Sequence, residues 1–292
     1  MPEKPDVHTT VERGDRMTPL IITAALTGAE LTRHQHPRLP ITPEEIGIAA
    51  AACAEAGASV VHVHAREADG TPTQRAEVYA QIIDAVQQRC DVIVQVSTGG
   101  AVGMSPEERL APVYLRPEMA TLSMGSVNFG REVFLNLPDD IEHFAAEMAR
   151  LGVEPELEVF DAGMLSTARR CIATGVLQTP LHVGLVLGVK GGMPGTPQAL
   201  QYLVSELPSD ATWSVAGIGA AQLPLSTLAI VMGGHVRVGL EDNLFYRKGE
   251  LARDNAQLVA RVARIARELE RAVAGPAEAR SALGLAPRIT PP

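Results

Sequence analysis

Two histidines, His62 and His64, sit two residues apart inside the β-branched run at residues 59–66 (SVVHVHAR). Successive side chains in a strand alternate faces, so both imidazoles point the same way. At roughly 3.4 Å per residue their Cβ atoms stand about 7 Å apart. Two imidazoles so placed can converge on one metal ion through bonds of about 2.0–2.1 Å. The same spacing also suits two hydrogen-bonded histidines at a strand end. A second group lies far along the chain, where Arg237 precedes Glu241 and Asp242. A carboxylate beside a guanidinium normally stays ionised. It could act as a general base whose position the arginine fixes, or form a structural ion pair. Residues 97–100 (STGG) offer hydroxyls and backbone N–H groups ahead of a helix. They read as a carboxylate cradle or as an ordinary glycine turn.

The elements that must position these groups follow from hydropathy periodicity. Apolar β-rich runs at residues 20–25, 59–64, 91–96, 119–123, 156–160, 181–187, 212–216 and 235–239 predict strands. Helical patterns alternate with them, ending at residues 253–272 with an amphipathic helix. Thr42, Pro43 and Glu45 form a capping-box pattern with proline at the first helical position, and Ser105, Pro106 and Glu108 repeat it. Eight βα units with short connections and no linker-like break predict a single (β/α)8 TIM barrel. An open doubly wound sheet shares the local signature, but no GxGxxG motif follows the first strand. Residues 1–18 are polar, lack the apolar stretch of a signal peptide and read as a flexible N-terminal arm. Residues 19–292 form the catalytic barrel in this reading.

Composition removes several function classes. The chain is 46% hydrophobic but only 3% aromatic, so aliphatic side chains must build the core. A formal net charge of -9 gives no support for nucleic acid or anionic membrane as a partner. No apolar run reaches the ~18 residues of a membrane span. The three cysteines, Cys53, Cys90 and Cys171, are isolated and odd in number. They read as small buried hydrophobes in a reduced, cytoplasmic protein.

A barrel holds its active site at the C-terminal ends of the strands. Glu30, His62, His64, Ser97, Thr98, Thr121, Ser123, Arg237, Glu241 and Asp242 all fall there. The eighth strand closes beside the first, one strand from the histidine pair. Glu241 is therefore the best third ligand for a two-histidine, one-carboxylate zinc set that leaves a position for substrate or water. His182 and His235 lie near strand starts and read as core or interface histidines. Residues 188–195 (GVKGGMPG) suit a large ligand, a mobile lid or a flexible loop. Residues 217–219 carry a weak phosphate-site signal. A metal-dependent aldolase or epimerase acting on a small phosphorylated or carboxylated substrate fits these features, as does a non-catalytic barrel that senses a small acid.

In order, residues 25–30 (ALTGAE), 62–66 (HVHAR), 97–100 (STGG), 125–129 (GSVNF) and 236–243 (VRVGLEDN) form a combination more specific than any one motif. Through them nearly the whole chain from residue 20 resembles the β-keto acid cleavage enzymes, founded on 3-keto-5-aminohexanoate cleavage. The resemblance implies a zinc-dependent (Zn2+) barrel, usually a homotetramer. Its reaction converts a β-keto acid and acetyl-CoA into acetoacetate and a new acyl-CoA. It also implies zinc on His62, His64 and Glu241, and a base at Asp242 paired with Arg237. Ser97, Gly100 and Thr121 would hold the substrate's carboxylate end. Glu30 matches the acidic residue that meets a distal ammonium. The Arg-Asp typical after the histidine pair is Arg66-Glu67 here.

Overall fold

The computed structural model describes residues 17–287, so the expected arm at residues 1–18 lies almost wholly outside the described residues. Eight strands form the barrel: β1 (Ile22–Ala25), β2 (Val60–Val63), β3 (Ile93–Val96), β4 (Met119–Ser123), β5 (Glu154–Val159), β6 (His182–Leu187), β7 (Thr212–Gly217) and β8 (His235–Val238). Each pairs in parallel with its sequence neighbours, and β8 pairs with β1 to close the ring. This is the (β/α)8 barrel that the alternating pattern predicts. The register brings Arg237 beside Thr23 and Ala216, and His62 beside Ala25 and Gln95.

The surrounding helices are α1 (Pro43–Ala56), α2 (Ala76–Gln87), α3 (Pro106–Leu110), α4 (Pro138–Leu151), α5 (Ala162–Ala173), α6 (Pro197–Ser205), α7 (Gln222–Met232) and α8 (Asn255–Glu268). Both capping boxes form, on Thr42 with Glu45 and on Ser105 with Glu108. The last barrel helix is shorter than residues 253–272. The Asp254 side chain accepts the Gln257 N–H and starts it, and Glu270 turns into the left-handed region beyond its end. No helix among the described residues is long and apolar enough to cross a membrane.

Two features go beyond the sequence reading. A further helix, α9 (Pro276–Ala282), closes the N-terminal floor of the barrel. Its Ala279 and the following Leu283 pack with Ile21, Val60, Ile93 and Met119. The Leu283 carbonyl meets His182 Nε2 at 2.9 Å, and Arg280 pairs with Glu118. Second, three short antiparallel ribbons follow barrel strands. They pair Ala65–Arg66 with Pro72–Thr73, Val127–Phe129 with Glu132–Phe134, and Phe245–Arg247 with Glu250–Leu251. The aliphatic core fills the space between strands and helices, while strand alternation turns Thr23, Gln95, Glu156 and Ser214 into the barrel interior. The centre of the barrel is therefore polar.

Candidate active site

A cavity of about 290 Å³ opens at the C-terminal ends of the strands. Its polar wall comes from β8 and the turn after it. Gly239 makes this turn possible, because a Cβ there would lie 2.0 Å from the Ala25 carbonyl oxygen. The chain thus runs flush against β1, with the Glu241 N–H reaching the same carbonyl at 3.3 Å. Gly28 does the complementary work on β1's exit turn, since its Cβ would meet Glu241 Cγ at 2.8 Å. Arg66 holds that turn by donating Nε and Nη2 to the Gly28 carbonyl, at 3.0 and 2.7 Å.

The Arg237 guanidinium organises three carboxylates. It grips Asp242 at both oxygens, with Nε to Oδ2 at 3.0 Å and Nη2 to Oδ1 at 2.9 Å. It also donates to Glu241, and Nη1 reaches Glu158 Oε1 at 3.3 Å. Burial pushes the Asp242 carboxyl up to about 6; Arg237 opposes that shift and Glu241 adds to it. Glu241 and Glu158 share the guanidinium that grips Asp242. Glu241 itself is held well below the usual range; its burial is outweighed by Arg237, His62 and His64.

His62, His64 and Glu241 bring potential ligand atoms within 4.8 Å of one another. Each histidine Nε2 stands 3.6 Å from Glu241 Oε1. Glu241 Oε2 and His64 Nδ1 are buried without a hydrogen-bond partner among the described residues. Buried polar atoms of this kind need a partner, and two imidazoles with a carboxylate are a donor set suited to zinc. Burial pushes the His62 imidazole down to about 3, which leaves it neutral as a ligand must be. The residues present therefore fit a bound cation.

The turn at residues 97–100 is pinned from three directions. Gln74 donates to the Ser97 carbonyl at 3.0 Å, Arg109 to the Thr98 carbonyl at 2.7 Å, and the Thr98 N–H reaches Thr121 Oγ1 at 3.2 Å. Ser97, Gly99 and Gly100 line the cavity, as do Glu30, His64, Arg237, Glu241 and Asp242. Thr121 is fully buried and does not line it; its hydroxyl and carbonyl both bond Thr98. Residues 188–195 pack as a wall, with the Met193 N–H on the Phe160 carbonyl at 2.8 Å and Val189 facing the cavity. The Gly219 N–H is taken by the Asp242 carbonyl at 2.8 Å, which ties the 217–219 turn to the β8 exit.

Sequence reading passed over Glu158 and Gln95. Glu158 lines the cavity and accepts Ser123 Oγ at 3.0 Å, and Gln95 Oε1 lies 2.8 Å from His62 Nδ1. Glu154, Glu156 and Glu158 at alternate positions of one strand were the available signal. Also passed over was an apolar far wall of Leu31, Val102, Phe129, Phe134, Phe160 and Ile218.

A family model for the beta-keto acid cleavage enzyme matches residues 19–285. The chain belongs to this family. Among its relatives is the 3-keto-5-aminohexanoate cleavage enzyme of Acetoanaerobium sticklandii, 49% identical over 92% of this chain and 99% of that one. The 3-oxoadipate:acetyl-CoA acetyltransferase of Cupriavidus necator is 40% identical over 91% of this chain and 95% of its own. In solved structures, the apo form of ObcA matches with a TM-score of 0.75 at 24% identity, covering 85% of this chain and 66% of that longer one. That likeness speaks for the barrel alone. The family assignment agrees with the motif combination and leaves the individual residue roles to be argued from geometry.

Proposed function

We propose that the protein is a zinc-dependent acyltransferase that converts a β-keto acid and acetyl-CoA into acetoacetate and a new acyl-CoA. The observation that carries this reading is Asp242, gripped at both oxygens by Arg237 and adjoining the His62–His64–Glu241 cluster at one cavity. Zinc held by His62, His64 and Glu241 would supply Lewis-acid polarisation of the substrate's keto oxygen. Asp242 accepts the proton from C2 of the keto acid, and a carboxyl near 6 is a better base than an exposed aspartate. Arg237 fixes the direction of its oxygens, and Glu158 braces Arg237 from the other side. Ser97 and Gly100 receive the substrate carboxylate, and Thr121 holds Thr98 of the same turn in place. The carbon that loses its proton attacks the thioester of acetyl-CoA. The CoA thiolate expelled in that attack adds to the former ketone carbon, the C2–C3 bond breaks, and Asp242 returns its proton to C2 of the acetoacetate.

The tail of the keto acid extends along the apolar wall toward Glu30 at the rim. Among the described residues Arg237 is the only arginine or lysine lining the cavity, and three carboxylates already engage it. A second carboxylate on the substrate has no partner there, so neutral or cationic tails are the class accepted. A panel of β-keto acids incubated with acetyl-CoA, before and after zinc removal by a chelator, tests the proposal. Acetoacetate should form from at least one member only in the zinc-replete protein. Its absence from every member would sink the reading.

A further inference from the structure

We propose that Glu156 sets the tautomer of His62 by fixing the direction of the Gln95 amide, so that Nδ1 carries the proton and Nε2 presents its lone pair. Its consequence for metal binding rests on the zinc reading above; the tautomer is a property of the chain with or without metal.

Four strands place the groups in a line across the barrel interior. His62 Nδ1 on β2 lies 2.8 Å from Gln95 Oε1 on β3, and Gln95 Nε2 lies 2.7 Å from Glu156 Oε2 on β5. Ser214 on β7 donates its hydroxyl to the other Glu156 oxygen at 3.0 Å. All four residues are buried. On β6, a Cβ at Gly184 would lie 3.3 Å from Glu156 Cδ, so glycine there leaves room for the carboxylate. Among the described residues no lysine, arginine or histidine lies within ion-pair distance of Glu156. A carboxylate kept in a barrel centre with only neutral donors serves hydrogen bonding rather than charge pairing.

The logic runs outward from that carboxylate. A primary amide can face a neighbour with its oxygen or its nitrogen, and geometry alone does not choose. A carboxylate only accepts, so Gln95 must aim its NH2 group at Glu156. Its oxygen is then turned on His62, and an acceptor facing Nδ1 requires the proton there. The Nε2 lone pair is left pointing at the metal cluster, 3.6 Å from Glu241 Oε1. His64 has no such support, because its Nδ1 lacks a partner among the described residues. The two ligands are thus held unequally. His62 is oriented before any cation arrives, and Gln95 and Glu156 are its positioning residues.

Nitrogen-15 NMR of the histidine rings, recorded on the chelator-treated full chain, reads the tautomer directly. Wild type should give His62 with the proton on Nδ1, and Glu156→Gln should give a mixture or the opposite tautomer. Zinc affinity, measured by competition with a chromophoric chelator, should fall about 10–100-fold in Gln95→Met. It should fall less in Glu156→Gln, and least in Ser214→Ala, which leaves the amide contact intact. Wild type with the proton on Nε2, or an unchanged tautomer in a folded Glu156→Gln, would overturn the proposal. A wild-type chain that binds no zinc yet loses the Nδ1–H form in Glu156→Gln would refute the metal reading and leave the relay standing.

Discussion

Asp242→Asn keeps the size of the side chain and one of its two acceptor contacts with Arg237 while removing its basicity. If Asp242 takes the C2 proton, acetoacetate formation should fall by roughly 10²–10⁴-fold, the usual worth of a positioned base. Zinc content should stay at the wild-type level, since His62, His64 and Glu241 are untouched. Parallel rate and metal measurements check both halves, and a variant within a few-fold of wild type would remove Asp242 from the chemistry. Histidines, carboxylates and an arginine at strand ends were legible as types at the mouth of a barrel. Their division of labour was not. Whether Arg237 serves its near neighbours alone or Glu158 as well depends on β5 facing β8 across the barrel mouth, which no local pattern states. Thr121 shows the same limit: alternation puts it inside the barrel, but only packing reveals that it faces the 97–100 turn.

At the scale of elements, strand β8 and its exit turn carry the most constraint. Gly239→Ala would drive a methyl into the Ala25 carbonyl, and backbone atoms cannot swing aside as a flexible side chain would. The expected cost is about 1–3 kcal/mol, read as a lower denaturation midpoint, together with weaker zinc binding as Glu241 shifts. The other end of β8 carries a pH dependence. His235 Nδ1 accepts the Ile21 N–H at 3.1 Å, and burial, then Arg271 and His182, push its imidazole down to about 3. The unfolded chain takes up a proton below about 6.5 while the folded chain refuses it. Stability should therefore fall as pH drops through that window, by about 1.4 kcal/mol per pH unit from this group. His235→Asn, which keeps an acceptor for Ile21, should make the slope shallower in chelator-treated protein; an unchanged slope would count against the assignment. Capped helices and apolar strands were readable because their signals are local. Helix α9 was not, since its few apolar positions gain meaning only against the barrel floor formed by Ile21, Val60, Ile93 and Met119.

For the whole molecule, the closed barrel gathers four carboxylates at one mouth, from the exits of β1 and β8 and from β5, and gives them one guanidinium. Under the proposed function, that imbalance selects the charge of the substrate's tail. β-Keto acids with neutral or cationic tails should be turned over with kcat/KM at least about tenfold above dicarboxylic ones of equal length, a difference of about 1.4 kcal/mol. Equal turnover would mean that another cation reaches the tail. The central claim concerns where the carbons go, and one labelling measurement follows them. Acetyl-CoA carrying carbon-13 at its carbonyl, incubated with an unlabelled β-keto acid and zinc-replete protein, should yield acetoacetate labelled at its keto carbon. The new acyl-CoA should carry no label. Unlabelled acetoacetate, or label in the acyl-CoA, would contradict the account.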